Sequence, residues 1–227
     1  MSFDSHDFSD LDNYGAVRLP GLLSAAQCRD IIACWESPER FRSETVMEHK
    51  GYGSGTYRYF DYPLPDPVAR LRTSLYPSLA TIANRWAEQL GGDARFPADQ
   101  QSYLDQCHAA GQTKATPLIL RYGEGDWNAL HQDIYGDCVF PLQLAILLSE
   151  PGTDFTGGEF VLSEQRPRMQ SRPEVVQLAQ GDGVVFATRE RPAPSKRGYR
   201  RVQMRHGVSR IRSGNRWTLG IIYHDAG

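Results

Sequence analysis

Nowhere in the chain do eighteen apolar residues run together, so no segment reads as a membrane-crossing helix. The opening stretch, MSFDSHDFSDLDNYG, has no apolar core of the kind a signal peptide needs. Cysteine is scarce. Cys28, Cys34, Cys107 and Cys138 fall at irregular spacings with no C-x-x-C pair, which argues against a zinc knuckle or a disulfide framework. Reduced, mostly buried thiols and a cytoplasmic address are the expectation. Lys and Arg are absent from Met1 to Asn13, where four acids occur, and residues 1–13 read as a solvated acidic tail. Internal repeats and long low-complexity linkers are also missing.

What is present suits one domain: 227 residues, 40% of them hydrophobic, with a net charge of −2. Residues 14–115 read as mainly helical. Tyr14–Leu23 looks extended. Ser24 with Gln27 three positions on is a capping-box signal, followed by Ile31, Ile32 and Trp35 at helical spacing. From Pro67 to Leu90, residues Leu71, Leu75, Leu79, Ile82 and Trp86 mark one helix face. Pro77 predicts a kink or two successive helices. DQQSYLDQCHAAG predicts a further short helix. The Gly- and Tyr-rich segment Val46–Pro63 reads as a hairpin or loop whose aromatics pack on the core or cover a pocket. Beyond Thr116 the texture becomes short strand-like runs between turn residues, as in a sandwich or barrel. From Arg189 to Arg216 there are ten basic residues and one acid, Glu190. Such a run marks either an anionic partner or solvated strand edges.

In LHQDIYGD, His131 and Asp133 are two apart, which on a strand puts both on one face. His206 lies in a later strand-like segment, and Arg216 follows it by ten residues. Two imidazoles and one carboxylate around a metal leave positions open, the arrangement that suits non-haem Fe(II) oxygenases. An arginine fork suits the far carboxylate of a dicarboxylic co-substrate. Tyr122 precedes His131 by nine residues, and its phenol needs a partner if buried. His224 and Asp225 lie past the last strand-like run and read as surface residues. His6, His49 and His108 lack partners at metal spacing.

Four stretches in order, RYGEGDWNALHQD, GGEF, LAQGDGVVF and HGVSRIRSGNRW, resemble the 2-oxoglutarate/Fe(II) dioxygenases of the prolyl-4-hydroxylase-like branch, over about residues 116–224. Gly183 stands where that branch has alanine, and Arg216 where it often has lysine. The resemblance implies an α+β fold, a double-stranded β-helix (jelly roll) with the N-terminal helices packed on one side. It implies Fe(II) on His131, Asp133 and His206, with 2-oxoglutarate and O2 as co-substrates. Arg216 and Tyr122 would bind 2-oxoglutarate, and Gln143, on the next core strand, would face it. The reaction implied is hydroxylation of a C–H bond with release of succinate and CO2. The substrate is left open among a protein side chain, a metabolite and an alkylated nucleic-acid base, since the chain also resembles a bacterial group labelled as damaged-DNA oxygenases. In the last case the basic stretch, placed near the barrel rim, and the Tyr52–Tyr62 aromatics would serve phosphates and bases. A zinc hydrolase and a non-catalytic jelly-roll binding module are the alternatives of other classes, and neither accounts for Arg216.

Overall fold

The computed structural model describes residues 6–134, 136–166 and 168–227. The first half contains helix α1 (Ser9–Tyr14), strand β1 (Ala16–Leu19), α2 (Ala25–Ala33), β2 (Phe41–Val46), β3 (Gly53–Ser54), β4 (Thr56–Phe60), α3 (Asp66–Gln89) and α4 (Gln100–Ala109). The second half is built of strands: β5 (Leu118–Tyr122), β6 (Trp127–His131), β7 (Leu142–Leu147), β8 (Phe155–Gly157), β9 (Phe160–Gln165), β10 (Arg172–Val176), β11 (Gly183–Ala187), β12 (Glu190–Ser195), β13 (Gly198–Val208), β14 (Ile211–Gly214) and β15 (Arg216–Ile222).

Two antiparallel sheets face each other as a double-stranded β-helix. One runs β1-β11-β7-β15-β5-β4-β2. The other runs β10-β9-β13-β6-β3, with β12 also paired to β13, and a small β14-β8 ribbon lies apart from both. All six residues of β7 and all five of β11 are buried, because helices cover the outer face of the larger sheet. Strands buried on both sides read as continuous apolar runs, as LQLAIL and GVVFA do.

The N-terminal part differs from the sequence reading in three ways. First, residues 1–5 of the expected acidic tail lie outside the described residues, but Ser9–Tyr14 is a helix rather than solvated coil. Its Leu11 is fully buried, and Asp12 accepts a 2.7 Å hydrogen bond from Trp86 Nε1 and pairs with Arg85 at 2.9 Å. Second, α3 is one uninterrupted span of 24 residues despite Pro77. Pro77 lies on the exposed side, where water can satisfy the carbonyl that loses its donor. Third, the region is not only helical. β1 pairs with β11, β4 with β5 and β3 with β6, so residues 16–60 supply strands to both sheets. The capping box at Ser24 is formed in full, and Asp99 caps α4 through Ser102 N.

Candidate active site

The turn between β5 and β6 is closed by Asp126, whose carboxylate accepts from Gly123 N at 2.7 Å. It delivers β6 alongside β13, with His131 directly across from His206. Their ring centroids are 4.2 Å apart. Asp133 lies two residues past the end of β6. Between them, Gln132 turns the other way and donates to Met204 O at 2.8 Å and Arg189 O at 2.9 Å. That anchor holds the loop so that its two neighbours share one side. Asp133 Oδ1 is 3.5 Å from His131 Nε2, and Oδ2 is 3.4 Å from His206 Nε2. One donor atom from each residue lies within 4.8 Å of the others, a set compact enough to hold one metal ion.

The electrostatics agree with a ligand set. Burial raises the pKa of Asp133, but the hydrogen bond and charge of His206 and the charge of His131 outweigh it and bring the carboxyl down to about 2. Burial, then His206, pushes the pKa of His131 down, which keeps the imidazole neutral as a ligand must be. His131 Nδ1 is 2.7 Å from Ala129 O. A carbonyl only accepts, so the ring proton sits on Nδ1 and the Nε2 lone pair faces the carboxylate. Phe186 and Phe160 flank His206, with centroids at 4.5 and 6.2 Å, and shield it from water.

Arg216 opens β15 opposite Tyr122 on β5, and only 2% of it is exposed. Its Nη1 donates to Thr218 Oγ1 and its Nε has no partner. Among the described residues no carboxylate forms an ion pair with it. Burial lowers its pKa to about 10, against the opposing effects of Tyr122 and Glu159. A cation held this way is costly unless an anion joins it. Gly158 lets the chain pass close by, since a Cβ there would sit 2.8 Å from Arg216 Cδ and its φ is +65°. Tyr122 is buried, and burial raises its phenol to about 12. Its oxygen accepts from Asn128 Nδ2 at 3.3 Å, leaving the hydroxyl proton free to donate.

Arg216, Tyr122, His131, Asp133, Gln143 and His206 all line one cavity of about 450 Å³ between the two sheets. Gln143 Nε2 is buried with no partner in hydrogen-bonding geometry, yet its amide still favours the charged form of Asp133 at longer range. The buried Arg216 Nε, the free Tyr122 proton and the three-residue donor set together fit a metal-chelating dicarboxylate.

Other expectations need correction. His224 and Asp225 are buried, at 4% and 0% exposure, rather than on the surface. Asp225 pairs with Arg72 at 2.8 Å and meets His108 Nε2 at 2.9 Å. His224 lines the cavity, and burial followed by Arg72 lowers its pKa to about 4. Of the Lys and Arg residues in the basic stretch, Arg216 alone lines the cavity, so the stretch as a whole does not serve it as expected. Arg191 is buried against Glu164, Arg201 pairs with Glu190, and the exposed Arg197, Arg200 and Arg205 do not line the cavity. The aromatic segment divides. Tyr52, Tyr57 and Tyr59 line the cavity, while Phe60 is in the core. Sequence reasoning also passed over Arg42 and Asn128, both cavity residues; a polar side chain on a half-buried strand is their only signal.

A family model described as "oxygenase, catalysing oxidative methylation of damaged DNA" matches residues 55–226. Two Mycobacterium tuberculosis proteins, named only as uncharacterized proteins MT2286 (strain CDC 1551 / Oshkosh) and Rv2227 (strain ATCC 25618 / H37Rv), are each 54% identical over 167 residues, which is 74% of this chain and 72% of theirs. Among solved structures, a Pseudomonas putida prolyl-4-hydroxylase aligns with a TM-score of 0.51 at 16% identity, covering 93% of each chain. A 2OG-Fe(II) oxygenase-family oxidoreductase from Burkholderia pseudomallei aligns at 0.50 and 18% identity, over 96% of this chain and 90% of that one. The non-heme alpha-ketoglutarate-dependent epimerase SnoN from nogalamycin biosynthesis aligns at 0.55 and 15% identity, over 93% and 78%. At such identities the likeness concerns the fold.

Proposed function

The chain belongs to this oxygenase family, one of the 2-oxoglutarate/Fe(II) dioxygenases that use Fe(II), 2-oxoglutarate and O2, and on that premise we propose that His131, Asp133 and His206 hold the iron while Arg216 and Tyr122 grip the co-substrate. The observation that carries this reading is the buried, ion-pair-free guanidinium of Arg216 opening into the same cavity as the His-Asp-His set. Zinc would accept the same three ligands, but a zinc hydrolase has no use for that guanidinium.

When bound, iron and 2-oxoglutarate couple oxidative decarboxylation, to succinate and CO2, with insertion of one oxygen atom of O2 into a C–H bond. The chain's own residues position and shield. Arg216 neutralises the far carboxylate of the co-substrate and Tyr122 donates its hydroxyl proton to it. Asn128 orients that hydroxyl by donating to its oxygen. Gln143 lies beside Asp133 and steadies its charge. Phe160 and Phe186 keep water from His206.

A second reading within the same chemistry is oxidative dealkylation of a damaged base. If the hydroxylated carbon is an N-methyl group, the product loses formaldehyde. One wall of the cavity supports it: Tyr57 and Tyr59 pack edge-on at 5.5 Å, and the Arg42 guanidinium stacks over Tyr59 at 4.4 Å. Such a wall suits a planar ring. The experiment is aerobic turnover with Fe(II) and 2-oxoglutarate, following succinate, with an N-methylated single-stranded oligonucleotide in one arm and a proline-containing peptide in the other. Succinate with formaldehyde in the first arm supports dealkylation. Succinate in the second arm alone supports side-chain hydroxylation. Asp133→Ala is expected to lose bound iron and succinate release together, and a variant that kept both would remove Asp133 from the ligand set.

A further inference from the structure

Beyond the metal and the co-substrate, the cavity carries a third polar feature. Along β15, residues Arg216, Thr218, Gly220 and Ile222 alternate onto the cavity wall, and His224 continues the series past the strand end. At about 3.3 Å per residue, Ile222 lies roughly 20 Å from Arg216 along the strand. A five-carbon dicarboxylate held at Arg216 does not span that length, so His224 serves something else.

The chemical state of His224 follows from its contacts. Phe140 N–H donates to His224 Nδ1 at 3.1 Å. A ring nitrogen that accepts carries no proton, so the imidazole is neutral and its proton sits on Nε2. That leaves Nε2 as the ring's donor, on a side chain that lines the cavity. The backbone that carries the ring is held firmly from behind. The His224 carbonyl accepts from Arg72 Nη2 at 3.2 Å and from Thr116 Oγ1, and the adjoining Asp225 is locked to Arg72. A second donor stands next to it: Gln143 is paired in register with Ile222, is 4% exposed, and its Nε2 has no partner. Two neutral donors, one of them buried and unsatisfied, face one wall beside Asp133.

We propose that His224 and Gln143 form a hydrogen-bonding subsite for a neutral carbonyl acceptor of the primary substrate, a planar lactam lying against the Tyr57–Tyr59 wall, and that His224 is a specificity-determining residue. This rests on the oxygenase reading. With Nδ1 occupied by Phe140 N–H, the His224 ring offers a donor only, so at that atom the subsite discriminates against a group that presents a proton or a positive charge. Leaving Gln143 Nε2 unpaired is costly, and a carbonyl that satisfies it is favoured over an apolar isostere.

The test uses protein loaded with Zn(II), as a diamagnetic substitute for Fe(II), and 2-oxoglutarate, with 1-methyluracil as the probe. Ring 15N spectra are expected to show His224 as the neutral Nε2–H tautomer, and its Nε2 signal to move on titration. His224→Phe weakens the probe by about tenfold, the effect of one lost neutral hydrogen bond. His224→Asn, which keeps a donor, recovers most of the affinity. An Nδ1–H tautomer, a stationary Nε2 signal at high probe concentration, or equal losses in the two variants would each overturn the proposal. So would a response to N-acetylprolinamide in place of 1-methyluracil, which would assign the subsite to a peptide. Separately measured affinities for metal and 2-oxoglutarate keep the two readings apart. If wild type binds neither, the oxygenase reading fails; if it binds both and His224 is silent, only the subsite fails.

Discussion

A guanidinium buried without a counter-ion lowers stability for as long as it stays unpaired, and Arg216 is in that position. Ligand-free Arg216→Leu is therefore expected to melt no lower than wild type, since an apolar side chain removes a desolvated charge. Added 2-oxoglutarate then stabilises wild type alone, by about 2.7 kcal/mol at a hundredfold excess over Kd. Equal upward shifts in the two proteins by differential scanning fluorimetry would take Arg216 out of co-substrate binding. At this scale the sequence was informative where spacing is local. His131 and Asp133 face one way because Gln132 faces the other, and a two-residue interval records that directly. His224 shows the opposite case. Its burial comes from Arg72 on α3, Thr116 before β5 and Phe140 before β7, contacts 84 to 152 positions away that leave no trace in the neighbouring residues.

Among the elements, β9 and β12 are tied by a buried charge. Glu164 is 3% exposed and accepts from Arg191, Arg166 and Arg172. Burial raises its pKa, but the hydrogen bonds from Arg191 and Arg166 and the charges of Arg191 and Arg172 outweigh that and leave it below the usual glutamate value of 4.5. A carboxyl with a depressed folded pKa contributes stability above its unfolded pKa and loses it as pH falls through the folded value. Glu164→Gln is expected to cost about 3–5 kcal/mol at neutral pH, because Arg191 is left charged and buried. The gap from wild type should narrow below about pH 4.5 in urea melts. A gap constant from pH 7 to pH 3 would mean that the pairing does not carry the effect. Helices α2 and α4 were legible because their caps are local chemistry at Ser24 and Asp99. Strand β4 falls inside the Val46–Pro63 segment read as a hairpin or loop, but its partner β2 was not legible. FRSETV lacks clean alternation and becomes a strand by pairing with β4, which pairs in turn with β5.

For the molecule as a whole, the jelly roll was visible in the change of texture at Thr116, yet both sheets are completed by strands from residues 16–60. Pairing partners as far apart as Gly53 and Asn128, or Ala16 and Phe186, cannot be read from a local pattern. The same distance effect separates the basic run into unlike parts. Arg191 is structural, Arg216 belongs to the cavity, and Arg197 and Arg200 sit exposed on the β12–β13 hairpin. At about 3.3 Å per residue, Arg197 is roughly 30 Å from His206 along the strand. Those two arginines are thus too far away to touch a base in the cavity, but a single strand long enough to cover the hairpin would meet them. If single-stranded DNA is the substrate, charge reversal at Arg197 and Arg200 is expected to weaken a long oligonucleotide and to flatten its log K against log[salt] slope by about 1.4, at roughly 0.7 per lost phosphate contact. A single methylated nucleoside, which reaches only the cavity, is expected to bind as before. Filter binding at a series of salt concentrations measures both. An unchanged slope would detach the hairpin from the substrate, and an equal loss for the nucleoside would mean that the hairpin acts through the fold and not through phosphate contact.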